Sequence, residues 1–552
     1  MMFTFKSKQM KKIRFKLYSP LAAVLLAAGI MGMSACTKNF KEFNTDKTGL
    51  SDDDLKADFN FIGGYFPQIQ SSIYFNFGNT TADYQLQQNL NADGYSGYLM
   101  PPHDFVNNQN NLSYAMISGW NNSTFNLAYN NVMGPINEIK RRGGQIIAPD
   151  FWAVALILKV EAMHRVTDVY GPIPYSSYGS GGTTSSYDSQ ADIYDRFFKE
   201  LDTANTTLQA FVAANPSLTP FAKFDMVYGG DYKEWIKFCN SLRLRLAIRI
   251  AKVDKVRAKA EGEKAMDPKN GGLMENNNDN VQVSGFGLRH PLYTIITSWT
   301  DCSMNAAMES FLVGYNDPRL PKYFDHASGY PGQYKGIRTG AAVKPKPAYL
   351  AFSVPAVAET KTFTNYTPIQ LMVCSEVFFL RAEAALRGWN NTGGTVQQLY
   401  EKGITASLSQ WKADPIAVSN YINDNTSKPI DYVDPLNAAN NATATTDLTI
   451  KWDETADFQR KLERIITQKW ISGFPEGQEA WSEFRRTGYP KLFPVVNNFS
   501  NGEVDTKIQI RRLPFPNDEY NSNKAEVQKA IQLLSNKKDS PGTPLWWDVK
   551  EP

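Results

Sequence analysis

Cysteine and histidine are scarce in this chain, with four of each in 552 residues. No CxxC pair occurs, and His103, His164, His290 and His326 are too scattered to give a local zinc spacing. Cys36 stands alone near the start. The other three, Cys239, Cys302 and Cys374, cannot all pair with one another, and Cys239 and Cys374 sit in apolar helical patterns that suggest buried free thiols. A GxSxG elbow, an HExxH helix and a phosphate-binding glycine loop are all missing, which removes the local signatures of three large enzyme classes. Carboxylates are plentiful, but none stands out as half of a glycosidase pair. Asn/Asp-rich loops could hold calcium, although no EF-hand spacing and no metal-ligand cluster are evident, and no cofactor is expected. Beyond the N-terminus, no apolar run is long enough to cross a bilayer.

The N-terminus itself is distinctive. Lys6, Lys8, Lys11, Lys12, Arg14 and Lys16, with no acid among them, precede an apolar run from Leu21 to Met33, followed by Ser34, Ala35 and Cys36. This is the pattern of an export signal, with an apolar core too short to span a membrane stably. A cysteine at the cleavage point makes it similar to a lipobox, with Met33 where leucine is commoner. Residues 1–35 are therefore expected to be a signal peptide, Cys36 a lipidated first residue, residues 36–54 a polar tether and residues 55–552 the folded body. The whole chain has 58 basic and 55 acidic residues, but the signal holds six of the basic ones, so the remainder is slightly acidic. That balance argues against a nucleic-acid-binding surface.

The strongest periodic signals are helical. Ala153, Leu156, Ile157, Val160 and Met163 define one buried face over Trp152–Val166, and Trp235, Phe238, Cys239, Leu242, Leu246 and Ile250 define another over Glu234–Val253. The cations of the second segment (Lys237, Arg243, Arg245, Arg249, Lys252) fit a solvated or carboxylate-paired face. Gln370–Trp389 and Val396–Trp411 form a predicted αα-hairpin, and Phe458–Ile471 with Gln478–Thr487 a second pair. Only short strands are suggested, at Val281–Val283 and Ile508–Ile510. The expected fold is mainly α, with tetratricopeptide-like helix pairs supporting a loop-rich ligand-binding half.

Residues 76–131 contain 13 asparagines interleaved with aromatic residues. Flat aromatic faces beside amides and carboxylates suit sugars, which present apolar C–H faces and hydroxyl rims. Trp120 and Trp299 lie among polar residues and are the preferred exposed pair. Asp301, Tyr293, Asn76 and Tyr84 complete the candidate ligand-binding set. Trp152, Trp235 and Trp389 sit on helical faces and are assigned to the core.

Several motifs together resemble the SusD/RagB family of outer-membrane nutrient-binding lipoproteins. They are His164-Arg165-Val166-Thr167-Asp168-Val169-Tyr170-Gly171-Pro172-Ile173-Pro174-Tyr175, Asn316-Asp317-Pro318-Arg319-Leu320, Phe379-Leu380-Arg381-Ala382-Glu383-Ala384, Tyr400-Glu401-Lys402-Gly403-Ile404 with Trp411, and Arg511-Arg512-Leu513-Pro514-Phe515-Pro516 with Trp546-Trp547-Asp548. The resemblance implies four tetratricopeptide-like helix pairs under an irregular ligand-binding half. It also implies a lipid-anchored position on the exterior of an outer membrane, over a TonB-dependent transporter similar to SusC. The chain departs from the family pattern in lacking proline after Phe43-Asn44-Thr45-Asp46, and in carrying Lys38 and Lys41 where an acidic export run is expected.

The expected activity is non-catalytic oligosaccharide capture and delivery to the transporter. The alternatives are capture of a peptide or other nutrient, a glycosidase with an unrecognised carboxylate pair, and a scaffold that only contacts the transporter.

Overall fold

The computed structural model describes residues 57–74, 80–182 and 184–550. The expected signal, Cys36, the tether and Asn76 lie outside the described residues. The body from Ile62 onward is one compact unit. Its irregular N-terminal part contains β1 (Leu99–Met100), α1 (Ser118–Ala128) and α2 (Gly134–Arg141). Two helix pairs follow: α3 (Pro149–Tyr170) with α4 (Gln190–Ala214), and α5 (Tyr232–Arg249) with α6 (Lys255–Ala265). Next come β2 (Val281–Val283), α7 (Pro291–Thr297), β3 (Ser303–Met304) and β4 (Ile369–Met372). Two more pairs complete the scaffold: α8 (Cys374–Leu386) with α9 (Val396–Gln410), and α10 (Phe458–Gly473) with α11 (Gly477–Thr487).

Local chemistry explains the helix limits. Pro149 occupies the first turn of α3, where no backbone donor is lost, and Gly171 ends the helix at φ +84° before Pro172. Ser189 caps α4 through a 3.2 Å bond from the Asp192 amide, and Ile193, Phe197, Leu201, Ala204 and Leu208 form its buried stripe. Thr395 and Gln398 form a reciprocal capping box at the start of α9. There the helix pair approaches closely, because a Cβ on Gly403 would lie only 2.7 Å from the Phe379 ring.

The cations of α5 are buried. Arg245 makes two bonds to Glu376 (2.8 and 2.7 Å) and a 3.2 Å bond to Glu161. Arg249 reaches Glu479, Glu483 (2.6 Å) and Asp168 (3.2 Å). Lys469 bonds Glu479 at 2.9 Å, while Arg486 grips Glu383 at 2.7 and 2.6 Å. These partners come from all four pairs, so ion pairing and apolar packing share the scaffold's interior. Burial acts to raise the Glu479 carboxyl, but Arg249, Lys469 and Arg245 overcome it and hold it at about 2. Glu161 goes the other way: burial lifts it to about 8, with Arg245 opposing only in part.

Three expectations need correction. Residues 369–372 are a strand and not the first turn of a helix, because the apolar run Ile369–Met372 pairs antiparallel with β2 and α8 starts only at Cys374. Ile508–Ile510 forms no strand; Gln509 takes φ +63° and its amide bonds back to Asp505. Trp152 is half-exposed, whereas Trp235 and Trp389 are buried. Cys239, Cys302 and Cys374 are all free and buried. The C-terminal tryptophans pin the tail, with the Trp547 indole donating to Asp168 at 2.8 Å and the Trp546 amide to Gln190 at 3.0 Å. Among the described residues, no helix is long and apolar enough to cross a membrane.

Candidate functional site

β1 and β3 pair antiparallel, Leu99 opposite Met304 and Met100 opposite Ser303. In that register, the chain leaving Met100 and the chain arriving at Ser303 lie at the same end of the ribbon. One continues into the loop carrying His103 and Phe105, and the other brings Trp299 and Asp301. A third segment ties them together. The Val343 amide donates to Asn108 at 3.0 Å, Lys344 lies 3.7 Å from Asp104, and Lys346 bonds Asp301 at 2.8 Å and the Trp299 carbonyl at 3.3 Å.

Trp120 joins this face from the first turn of α1. Its ring meets Phe105 edge-on at 6.0 Å, and His103 stacks on Phe105 at 4.4 Å. Ser118, Gly119 and Asn121 are weak helix formers, so outside bonds fix the start of α1. Asn111 accepts from the Ile117 amide at 2.8 Å and donates to Asn121 at 2.8 Å and Asn91 at 2.6 Å.

The loop backbone beside these rings is left-handed. Val106, Asn107 and Asn108 have φ of +52°, +54° and +62°, and Thr300, next to Trp299, has +53°. For a β-branched residue such as Val106 this costs on the order of 1–3 kcal/mol. Its side chain is 58% exposed, so packing recovers little of that cost. Bonds from Asn110 to the Phe105 carbonyl (2.8 Å) and from Ser113 to the Asn108 carbonyl (2.7 Å) hold the shape.

Among the expected site residues, Trp120, Trp299 and Asp301 are linked through these contacts. Trp299 lies in the turn after α7, as expected, and is half-buried. Trp120 differs from expectation in being helical and half-buried. Tyr293 is also half-buried, on α7, the helix that delivers Trp299. Tyr84 cannot serve a ligand: it is fully buried, bonded to Tyr74 (2.5 Å) and Asp93 (3.1 Å), with burial raising its hydroxyl well above the usual range. Burial likewise pushes Asp93 up to about 6, against hydrogen bonds from Gln88, Asn89 and Tyr84. Asn76 lies outside the described residues.

The asparagine-rich stretch serves mainly structure, since Asn89, Asn91, Asn110, Asn111 and Asn121 are buried. Asn107 is exposed on the strained loop. Sequence reasoning missed Asn107, Lys344 and Lys346 as members of this face. The alternation Lys344-Pro345-Lys346-Pro347 was the available signal, since it brings two ammonium groups together where the short helix Lys346–Tyr349 begins. The face offers aromatic surfaces, an amide, a carboxylate and two ammonium groups. Among the described residues, no group of three or more His, Cys, Asp or Glu is placed to hold a metal.

The sequence profile of SusD-like proteins, described as SusD and RagB outer membrane lipoproteins, matches residues 42–548. A chitin-binding SusD homologue from Flavobacterium johnsoniae superposes with a TM-score of 0.84 at 44% identity, covering 89% of this chain and 99% of its own. A SusD homologue from Bacteroides vulgatus gives 0.84 at 38% identity, covering 90% and 99%. A SusD-like protein from Bacteroides thetaiotaomicron gives 0.81 at 33%, covering 89% and 99%. No curated protein matches. The helix pairs described above are the tetratricopeptide-like units of this fold, and SusD-like proteins are binding proteins and not enzymes. This chain belongs to the SusD-like family of outer-membrane lipoproteins.

Proposed function

We propose that this protein captures an oligosaccharide on the Phe105–Trp120–Trp299 face and passes it to a SusC-like TonB-dependent transporter. Lipid on Cys36 would hold it to the outer membrane, facing the exterior. The observation that carries this reading is the β1–β3 ribbon, which directs two aromatic-bearing loops to the same end of the ribbon. Capture needs a shaped surface and no proton transfer. Asp301 is engaged by Lys346 at 2.8 Å, which suits it to positioning and not to acid–base work. A relative at 44% identity is a chitin-binding protein, which makes β-linked N-acetylglucosamine oligomers the first ligands to try. Their acetamido groups match the Asn107 amide, and their C–H faces match the rings.

Calorimetric titration of the purified protein with chitohexaose and with a peptide digest tests this, with mass spectrometry of the products. Intact chitohexaose bound with a dissociation constant of roughly micromolar to millimolar supports capture. Cleaved chitohexaose would point to an enzyme, and peptide binding alone to peptide import. Co-purification with the transporter tests delivery separately.

A further inference from the structure

A second cleft lies between α2, α3, α4 and the turn from Tyr175 to Tyr178, and shares no lining residue with the aromatic face. It holds about 340 Å³, within the roughly 300–1,000 Å³ usual for small-ligand sites. Its polar groups fall into two sets. On one wall Lys159 bonds Glu200 at 2.7 Å and sits 4.1 Å over the Tyr175 ring, whose hydroxyl also donates to Glu200. That trio is internally paired and close to neutral. The other set is open: among the described residues Lys140 and Arg196 form no ion pair, and the amides of Asn137 and Gln145 make no side-chain hydrogen bond.

The apolar lining includes the Trp152 and Tyr178 rings. Trp152 is half-exposed here and stacks on no other described ring, while Tyr178 is half-exposed on the opposite turn. Gly179 lets that turn close over α2, since a Cβ there would fall 2.5 Å from the Asn137 side-chain oxygen. Tyr178 also lines a neighbouring cleft of about 250 Å³ with Asn126 and Asn130, so a chain longer than one ring has somewhere to continue.

We propose that this cleft binds an acidic saccharide, with Trp152 and Tyr178 taking the C–H faces of the sugar and Lys140 with Arg196 its carboxylate. An indole flanked by free amides suits a ring that is apolar on its faces and polar at its edge. Two unpaired cations beside a neutralised wall select a negative substituent. The site stands independently of the aromatic face.

The test compares tetragalacturonate with its carboxyl-reduced counterpart, a chain of the same length and linkage without the charges. Calorimetry on the purified protein should show the acidic form binding about tenfold more tightly, with the difference shrinking as salt rises. The surface variant K140Q/R196Q should abolish that difference, and W152A should weaken the acidic form about tenfold. Binding should persist in saturating chitohexaose. The proposal is overturned if neither form binds, if both bind equally, or if K140Q/R196Q leaves the difference intact. Displacement by chitohexaose would place the acid on the aromatic face, and equal competition by oligoglutamate would make the site a peptide site. Either result also overturns the proposal.

Discussion

The helical scaffold and the aromatic face use polar side chains in opposite ways. In the scaffold, Arg245, Arg249, Lys469 and Arg486 are buried and each is matched to two or more carboxylates. At the face, the rings are half-exposed, the backbone is left-handed at four positions, and Asn107 points no bond inward. These scaffold cations have therefore met their partners on folding, whereas the face holds a costly shape with capacity left over. Buried charge pairs are weak evidence of stability in themselves, but breaking one is severe, because a stranded charge has no water.

The largest effect should come from removing one scaffold cation. Arg249→Met takes a buried cation away from Glu479, Glu483 and Asp168 and should cost about 3–5 kcal/mol, read by denaturant unfolding. A variant as stable as the parent would show that the pairs do not hold the scaffold. Next is acid. Glu479 is held at about 2, below its ordinary 4.5, so its stabilising contribution is complete above pH 4.5 and is lost as pH falls toward 2. Unfolding free energy should drop over that window, and Glu479→Gln should flatten the drop while lowering stability at neutral pH.

The face should respond in binding and not in stability. Trp120→Ala combined with Trp299→Ala should weaken chitohexaose binding about tenfold or more with the unfolding midpoint nearly unchanged. An unchanged dissociation constant would remove both residues from the site. Smallest is Val106→Gly, which relieves a left-handed valine and should raise stability by about 1 kcal/mol while lowering affinity. A loss of stability would mean that the loop is not strained.

Legibility in the sequence followed the same division. α3, α5 and the α10/α11 pair were readable because each carries a long apolar stripe with a recognisable start or stop. α4 carries an equally clear stripe under a Ser189 cap, so its signal in the sequence is as strong as theirs. Ile369–Met372 failed for a physical reason: a short continuous apolar run suits a buried strand and a buried helix alike. The cations of α5 left their partners open, since nothing local in the chain says that Glu376 or Glu483 will meet them. Aromatic residues in polar surroundings pointed to Trp120 and Trp299, which the fold leaves half-buried, but the same reasoning promoted Tyr84, whose Asp93 partner nine residues on makes a buried polar core. The ribbon that unites the face is two residues on each strand, below any periodic signal.

That brevity has an evolutionary consequence. With only Leu99–Met100 and Ser303–Met304 in register, an insertion after Met100 or before Ser303 lengthens one loop without shifting the pairing. Descendants of such a molecule can exchange the aromatic-bearing loops while inheriting the helix pairs unchanged. New specificities can then arise by loop replacement alone, with each trial screened on a framework already folded.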